Sequence, residues 1–454
     1  MSSGAVTGGT VATPEGLRRA DVLIDGGKIA AIGAGGHRGE TMIDASGCYV
    51  LPGGVEPHCH LMAGVRAATM AAALGGTTTA LSFTNPGAGE SDLECLLRRR
   101  SDLAAGGAAI DVGLHAMLYR PGSATMTDLA AARQAGAAAV KVFLAYPELG
   151  IMCSTRQLFE LMSCAERLGM IVQVHCENGP LIEALMAGAL SAGRRGPRVF
   201  ADTRPPEVEE EAVARALATA SLTGAACYLV HLSTAGAIDQ VRLARRRGEA
   251  RVFAEVCLHH LLLDERRYAG PDAPRYLVAP PLRGEHHVAA LWEAVADGTV
   301  DTVGSDHCQV RSATVPGLSP SGGAYRYGLA GIGARLPLLL SAGQARGIPL
   351  GRLLDLAAGN PARIFGHYPK KGALAAGSDA DLVIYDPAGQ TTLAATDFAD
   401  GTGDNIYAGL PVLGRIRDVL LRGRLIVSQG RFADSGRSGG YLPASALELG
   451  PVPR

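Results

Sequence analysis

The stretch Leu51–Gly64, LPGGVEPHCHLMAG, decides how this chain can fold, because two histidines follow an apolar run and a pair of glycines. Side chains two residues apart on a strand point to the same side of the sheet. If Val50–Pro57 is largely extended, the imidazoles of His58 and His60 converge at the end of that strand. Converging imidazoles suit a metal ion, but an isolated pair can also place one ring in the core and the other in water. The rest of the chain has to distinguish these two interpretations.

Composition and charge indicate a globular protein without a nucleic-acid or membrane partner. The chain has 454 residues, 47% of them hydrophobic, and a formal net charge of −1, so electrostatics favours neither nucleic acid nor an acidic membrane surface. No run approaches the length of a membrane span. The nine cysteines are scattered and form no CxxC pair, which favours free thiols in a reducing compartment. The first residues show no signal-peptide pattern, and we expect a cytoplasmic protein.

Extended and helical patterns alternate from about residue 50 to residue 370. The helical patterns include SDLECLLRRRSDLAA, STRQLFELMSCAERLG, EVEEEAVARALATASLTG and EHHVAALWEAVADG. Eight stretches are predicted to be strands: YVLPGGVEPH, TTTALSF, IDVGLHAM, AAVKVFL, MIVQVHC, CYLVHLS, RVFAEVC and TVGSDHC. Eight strands that are each followed by helix-forming sequence predict an α/β fold of the (β/α)₈ TIM-barrel type.

The two ends of the chain have a different pattern, with short strands separated by glycine turns. Residues 17–45 and 373–432 both show it, and we expect them to pair into one small β domain beside the barrel. The last residues are rich in Gly, Ser and Pro. The predicted domains are therefore a small β-sandwich from 1–52 and 373–432, a barrel over 53–372, and a C-terminal tail or oligomerisation arm over 433–454.

Candidate metal ligands lie at or near the ends of the predicted strands, where barrel enzymes carry their chemistry. These residues are His58 and His60 on the first strand, Lys141 on the fourth, His175 on the fifth, His231 on the sixth and Asp306 on the eighth. Nitrogen and oxygen ligands without thiolate suit zinc or a similar divalent ion. Four His and one Asp exceed the needs of one tetrahedral ion with an open position, so two ions are predicted. Lys141 is unusual here, because an ammonium cannot bind a cation, although a buried lysine can lose its proton.

Several segments, in this order along the chain, resemble the hydantoinase and dihydropyrimidinase branch of the cyclic amidohydrolases. They are GGVEPHCH, KVFLAY, VHCENG, TRPPEVEEEAVARA, YLVHLS, APPLR, TVGSDHC and GALAAGSDADLVIYD. The resemblance covers nearly the whole chain and implies that carbon dioxide carboxylates Lys141 to a carbamate that bridges two metal ions. It also implies His58, His60 and Asp306 on one ion and His175 and His231 on the other. Zinc is favoured, although manganese and cobalt suit the same ligands.

The resemblance further implies a reaction and an assembly. A hydroxide that bridges the metals would attack the carbonyl of a cyclic amide or ureide, such as a hydantoin or dihydropyrimidine. Asp306 would take the proton from the hydroxide and pass it to the leaving nitrogen. Tyr146, five residues after Lys141, would stabilise the developing oxyanion, although it could instead be a loop aromatic. Close relatives are commonly homotetramers or homodimers, so an oligomer is expected.

The sequence departs from the family pattern around the substrate. The family usually has a longer loop after the two histidines, whereas 14 residues separate His60 from Gly75 here. Glu56 stands where an Asp is usual, and we expect a structural effect there. Among the substrate-binding positions, Ala279 replaces the family's Ser, and Tyr327 aligns with its Asn. These changes predict an altered, more open pocket beside intact catalytic residues.

Other functions are weighed against this one. A dihydroorotase would carry an Arg at position 62, where this chain has Met62. An allantoinase would usually lack Tyr146, although an allantoinase-like or specialised ring substrate stays an alternative. A non-catalytic scaffold related to dihydropyrimidinases is the alternative from another class, and the complete ligand set opposes it. The pairs His259–His260 and His286–His287 lie outside the ligand positions, and Arg204 is predicted to help an interface or a lid.

Overall fold

The computed structural model describes most of the chain, which forms two compact units. The described residues are 4–33, 41–62, 64–87, 89–119, 121, 126–248, 251–308, 313–321, 323–398, 400, 404–433 and 438–445. The first unit comprises Met1–Ser82, Ser101–Gly113 and Gly331–Leu442. The second unit comprises Phe83–Arg100, Leu114–Ala330 and Pro443–Arg454.

Twenty strands occur in the described part of the chain. They are β1 (Gly4–Thr13), β2 (Gly16–Asp25), β3 (Lys28–Gly33), β4 (Thr41–Asp44), β5 (Tyr49–Pro52), β6 (Gly54–His60), β7 (Thr77–Phe83), β8 (Asp111–Met117), β9 (Ala139–Phe143), β10 (Ile171–His175), β11 (Ala226–Leu229), β12 (Val252–Cys257), β13 (Thr302–Gly304), β14 (His307–Cys308), β15 (Ala313–Val315), β16 (Tyr325–Tyr327), β17 (Leu382–Thr392), β18 (Pro411–Leu421), β19 (Arg424–Ser428) and β20 (Arg431–Phe432).

Thirteen α-helices occur among the same described residues. They are α1 (Val65–Leu74), α2 (Asp92–Ala104), α3 (Met126–Gln134), α4 (Thr155–Arg167), α5 (Gly179–Ser191), α6 (Pro197–Asp202), α7 (Pro206–Thr223), α8 (Ala235–Arg246), α9 (Leu258–Leu262), α10 (Glu285–Asp297), α11 (Arg335–Ala345), α12 (Leu350–Leu354) and α13 (Asn360–Ile364). Short 3₁₀ turns lie at Pro147–Leu149, Glu265–Tyr268 and Ala273–Tyr276, and a π-helical turn at Asp355–Gly359 separates α12 from α13. None of these helices is long and apolar enough to cross a membrane.

The strands β6 to β13 alternate with helices in chain order, which confirms the predicted strand–helix pattern. In the first unit β6 and β7 pair in parallel. In the second unit each of the strands β8 to β12 pairs in parallel with the next one along the chain. The strands β7 to β13 are buried at every residue. Parallel strands that helices cover on their faces have this near-continuous apolar character.

The two ends of the chain form one mixed sheet within the first unit, as the terminal strand patterns predict. Its strand order is β20-β19-β18-β17-β5-β1-β2-β3, with β4 beside β1. The N- and C-terminal segments join where β17 pairs antiparallel with β5, from Leu382 opposite Pro52 to Tyr385 opposite Tyr49. Its buried apolar side chains include Val22, Val50 and Leu382, so both ends of the chain contribute to one core.

The first predicted strand, YVLPGGVEPH, is wrong as one continuous strand. The chain forms β5 and β6 instead, with a break at Gly53. A Cβ atom at Gly53 would collide with the side chain of Thr78, so only glycine allows this close approach. The break lets β5 pair in the mixed sheet while β6 pairs with β7.

The C-terminal segment is partly packed in the first unit. Val112 donates a backbone hydrogen bond to Gly440 (2.8 Å), and Leu442 donates one to Val112 (2.8 Å). Residues 434–437 and 446–454 of the predicted tail lie outside the described residues. The domain boundaries of the sequence analysis, and the role of 433–454 as an arm, stay predictions.

A buried histidine in the first unit makes stability depend on pH. Burial, reinforced by the positive charges of Lys371 and Lys370, lowers the pKa of His367 to about 3. The folded state therefore binds fewer protons than the unfolded chain, whose histidine titrates near 6.5, and this contribution is lost as the pH falls below about 6.5. We expect His367 to reduce the free energy of unfolding by about 2 kcal/mol between pH 7 and pH 5.

Urea unfolding of wild type and His367→Gln at both pH values measures this effect. Between pH 7 and pH 5, the free energy of unfolding of the variant should fall by about 2 kcal/mol less than that of wild type, whatever the stability of the variant at pH 7. His286→Gln, at an exposed histidine, should keep the wild-type pH dependence. Equal losses in wild type and His367→Gln would contradict the assignment.

Candidate active site

The first two predicted ligands lie together at the end of β6 in the first unit. The ring centroids of His58 and His60 are 5.7 Å apart, with the rings tilted by 56°. The side chain of His58 is buried and that of His60 is half-buried. The alternation of a strand thus places both imidazoles on one side, as their spacing predicts.

Glu56 stabilises this end of β6 through a hydrogen bond and a buried ion pair. Its Oε1 accepts a hydrogen bond from the backbone N–H of His58 (2.9 Å). Its Oε2 lies 2.9 Å from Nε of Arg335, and both of these side chains are fully buried. Removing one partner of a buried ion pair leaves an uncompensated charge, so Glu56 has the structural effect expected from the sequence.

Lys141 lies in the middle of β9 in the second unit with its amine in an apolar environment. Its side chain is 1% exposed, and Nζ lies 5.1 Å from the ring centre of Phe83 and 5.6 Å from that of Phe143. Burial lowers the pKa of Lys141 to about 8, although the carboxylates of Asp306 and Glu255 oppose this shift. A neutral amine, which carboxylation by carbon dioxide requires, is therefore accessible near neutral pH.

The use of lysine at this position stands out in the composition. Four of the 42 Lys and Arg residues are lysines, so arginine carries nearly all the positive charge of this protein. A guanidinium stays protonated, whereas an ammonium can be deprotonated when it is buried. Lys141 is therefore one of the few cationic side chains of this protein that can become a neutral amine.

His175 and His231 converge in the second unit. Nδ1 of His175 lies 2.9 Å from Nε2 of His231, and Nε2 of His175 lies 2.8 Å from Oε2 of Glu177. Burial lowers the pKa of His175, so its ring is neutral at pH 7. Burial would raise the pKa of Glu177, but the hydrogen bond from His175 and the nearby charges of Arg204 and Arg283 hold it below its usual value.

These contacts decide the tautomer of His175. The Glu177 carboxylate accepts a hydrogen bond from Nε2–H, which leaves a lone pair on Nδ1, the nitrogen that faces His231. A carboxylate behind a metal-binding imidazole orients ligands in this way. Two nitrogens about 2.0–2.1 Å from one tetrahedral zinc ion would lie about 3.3 Å apart, close to the observed spacing. The residues present therefore fit a divalent cation between His175 and His231.

Three predicted site residues have strained backbones. Six described non-glycine residues have a positive φ, and they include Tyr146 (65°), His231 (40°) and Asp306 (46°). Such conformations cost about 1–3 kcal/mol each and cluster at functional sites. All three residues follow strands of the second unit within five residues, so the strain lies in the loops at the ends of those strands.

Two of the predicted substrate-binding residues, Tyr146 and Tyr327, form an aromatic cluster with His175 in the second unit. The ring centroid of Tyr146 lies 5.0 Å from that of His175 and 6.4 Å from that of Tyr327. Gly328 donates a backbone hydrogen bond to Leu277 (2.9 Å), which ties the Tyr327 strand to the segment that leads to Ala279. Tyr146, Ala279 and Tyr327 are all buried.

Comparison with known proteins assigns the family. The sequence matches the amidohydrolase family over residues 49–426. This chain belongs to the amidohydrolase family. It is 35% identical to the D-hydantoinase of Geobacillus stearothermophilus, over 96% of this chain and 95% of the relative.

Solved structures show the same fold over nearly the full length of the chain. A dihydropyrimidinase from Brevibacillus agri matches with a TM-score of 0.92 and 35% identity, covering 98% of this chain and 99% of that one. An L-hydantoinase from Arthrobacter aurescens matches with a TM-score of 0.86 and 26% identity, over 97% of this chain and 99% of that one. These similarities confirm the predicted barrel fold for this amidohydrolase.

Sequence reasoning missed a group of buried carboxylates that hold the loops with the predicted ligands in the second unit of this amidohydrolase. Glu177 orients His175, and Glu255 accepts a hydrogen bond from the backbone N–H of His231 (3.0 Å) through Oε1. Glu209 accepts backbone hydrogen bonds from Ser233 (2.8 Å) and Thr234 (3.2 Å). The spacing of His175 and Glu177 could have indicated their contact, because side chains two residues apart at the end of a strand can point to the same side.

Two other sequence interpretations concern buried residues of this amidohydrolase. Arg204 is buried within the second unit, with Nε 3.9 Å from Oε1 of Glu177. Its guanidinium balances a buried carboxylate, and a role in an interface or a lid stays a prediction. The rings of His259 and His260 meet edge to face (ring centroids 4.2 Å apart, interplanar angle 61°), and Nε2 of His260 lies 3.0 Å from the carbonyl oxygen of Pro280. This pair therefore has local structural contacts.

Proposed function

We propose that this amidohydrolase is a metal-dependent hydrolase that opens a cyclic amide or ureide ring of the hydantoin or dihydropyrimidine type. One observation carries the proposal: similarity to proteins named D-hydantoinase and dihydropyrimidinase extends over at least 96% of this chain. The paired histidines, the buried Lys141 amine and the strained loops after strands of the second unit support it. The product would be an N-carbamoyl acid or a similar ring-opened compound.

We propose that two divalent cations are held by the six ligands of the sequence analysis. His58, His60 and Asp306 would hold one ion, His175 and His231 the other, and a carbamate on Lys141 would bridge them. Zinc is the preferred ion, and manganese or cobalt would suit the same donors. The lowered pKa of the Lys141 amine supports the carbamate, because only the neutral amine can form it.

When bound, divalent cations lower the pKa of water towards neutrality and polarise a carbonyl group. Asp306 takes a proton from the attacking water and delivers it to the ring nitrogen as the carbon–nitrogen bond breaks. The hydroxyl of Tyr146 donates a hydrogen bond to the carbonyl oxygen as negative charge develops there. One such donor typically lowers the barrier by about 2.7–4 kcal/mol.

The pocket would differ from the family pattern at three places that are expected to contact the substrate. The helix α1 begins at Val65, five residues after His60, which supports a short lid and an open pocket. The backbone around Ala279 would hold the ring amide, since the methyl side chain of Ala279 cannot form a hydrogen bond. Tyr327 would border the ring with a phenol. We further propose a cytoplasmic homotetramer or homodimer.

Ring opening by zinc- or manganese-loaded protein is the test of this function. The panel contains hydantoin, 5-substituted hydantoins of both hands, dihydrouracil, allantoin and dihydroorotate, with bound metal measured in the same samples. We expect turnover of hydantoins or dihydrouracil with about two ions per chain, and loss of activity in metal-stripped protein that returns with added metal.

The other outcomes are equally specific. Turnover of allantoin alone would favour the allantoinase-like alternative, because allantoin is a hydantoin that carries a ureido substituent. No turnover with two ions bound would contradict the hydantoin or dihydropyrimidine substrate class. If the protein neither binds metal nor turns over any compound, this result would contradict the proposed enzymatic function and favour a non-catalytic scaffold.

A further inference from the structure

Arg283 is a buried arginine at the end of the backbone segment that is proposed to hold the ring amide. It follows Ala279 by four residues, and its side chain is 6% exposed. Its carbonyl oxygen accepts a hydrogen bond from the backbone N–H of Glu265 (3.0 Å), and the backbone N–H of Leu282 donates one to the hydroxyl of Tyr268 (2.8 Å). A neighbouring 3₁₀ turn therefore fixes the backbone at this end of the segment.

The guanidinium of Arg283 joins this segment to the loop that follows the predicted ligand His231. Its Nε donates a hydrogen bond to Oγ of Ser233 (3.0 Å), two residues after His231. One Nη donates to Oε2 of Glu209 (3.3 Å), and the other donates to the carbonyl oxygen of Arg204. Glu209 also accepts hydrogen bonds from the hydroxyl and the backbone N–H of Ser233. All three nitrogens of the guanidinium are therefore bonded, and two of them reach the Ser233 loop directly or through Glu209.

We propose that Arg283 is a positioning residue that fastens the Ala279 segment to the loop of His231. The inference rests on the proposed function, in which the segment holds the ring and His231 holds a cation. A planar guanidinium with three bonded nitrogens fixes both distance and orientation. Side chains that hold a metal ligand in place typically change metal affinity 10–100-fold when they are substituted. One substitution at Arg283 should therefore disturb the binding of metal and of substrate together.

Arg283→Lys tests this coupling because it keeps the positive charge and loses the planar set of donors. We expect the dissociation constant of the more weakly bound ion to rise at least about tenfold. At saturating metal, KM of the best panel substrate should rise about tenfold while kcat changes less than about threefold, which is the pattern of lost binding. Arg266→Lys, at an exposed arginine of the same unit that pairs with Asp264, is the matched control and should keep wild-type values.

Ser233→Ala tests the same coupling in a protein that keeps the buried ion pair of Arg283 and Glu209. The substitution removes the acceptor of the Arg283 Nε and leaves both charges in place. We expect KM and the dissociation constant of the more weakly bound ion to rise together, each by about threefold. This variant gives the answer if Arg283→Lys does not fold.

Hydrogen exchange followed by mass spectrometry tests the coupling without metal or substrate. In metal-free Arg283→Lys, the backbone amides of residues 231–234 and 277–283 should both exchange at least about tenfold faster than in wild type. The amides of β9 and β10 should exchange at the wild-type rate. Arg266→Lys should exchange as wild type in all of these segments.

Faster exchange in only one of the two segments, or in neither, would overturn the coupling even if ring compounds are hydrolysed. A uniform increase that includes β9 and β10 would also overturn it, because that result indicates a general loss of stability. A rise in KM with unchanged metal affinity, or the reverse, would likewise contradict it. Joint loosening of both segments in a protein that opens no ring on the panel would support the coupling and contradict the proposed function.

Discussion

Lys141→Ala is expected to lose both bound metal and ring-opening activity. The side chain would be the only bridging group that the protein supplies to the two ions, and no neighbouring donor in the described part of the second unit replaces an amine that carbon dioxide can carboxylate. We expect less than about one thousandth of wild-type activity, since metal-activated water and carbonyl polarisation are both lost. Metal content by mass spectrometry and turnover of the best panel substrate measure the two effects.

Two further variants separate the carbamate from charge and packing. Lys141→Arg keeps a long cationic side chain that cannot become a carbamate, and it should be as inactive as Lys141→Ala. Lys370→Ala, at an exposed lysine, should keep wild-type metal content and activity. A short carboxylic acid added to Lys141→Ala should restore part of both properties. Full activity of Lys141→Ala without such an acid would refute the bridging role.

Asp306→Asn is expected to lower kcat/KM by a factor of about 10³ while leaving the fold intact. The substitution preserves the shape of the side chain and its positive-φ loop, but an amide cannot take the proton of the attacking water. General acid–base groups typically contribute 10²–10⁴-fold, and Asp306 would also lose its charge as a ligand. Steady-state kinetics at saturating metal, with metal content measured in parallel, give the effect.

Asp297→Asn is the matched control for Asp306→Asn. Asp297 is the last residue of α10 and pairs with Arg242 at 2.7 Å near the surface, where one exposed pair contributes little. This variant should keep wild-type kinetics. If Asp306→Asn binds two ions and retains more than about one tenth of wild-type kcat/KM, another group carries the proton.

Much of the fold could be predicted because strand periodicity and apolar runs are local properties. TTTALSF coincides with β7, and the runs that contain Lys141 and His175 coincide with β9 and β10. The position of a residue at a strand end follows from these patterns, and a barrel places its chemistry there. The spacing of His58 and His60 also sufficed to place both rings on one side of β6.

Local pattern failed where a contact joins distant parts of the chain. Glu177 looks like an ordinary charged residue in VHCENG, yet its burial depends on Arg204, 27 residues later. Gly53, where the strand breaks, lies too close to the side chain of Thr78 for any residue with a Cβ atom. Neither partner is visible in the pattern around the residue itself. The spacing of His175 and Glu177 could indicate a shared side at the strand end, but not the buried Arg204 nearby, and nothing near Gly53 indicates Thr78.

The sequence by itself determined the alternation of strands and helices, the candidate ligands and the resemblance to a family of ring-opening hydrolases. Only the tertiary structure decided the tautomer of His175, the lowered pKa of Lys141 and the stacking of Tyr327 on Tyr146, which lies 181 residues earlier. The physical reason is that periodicity specifies which face of an element a side chain occupies. Burial, charge balance and ring contacts depend on which other elements meet that face.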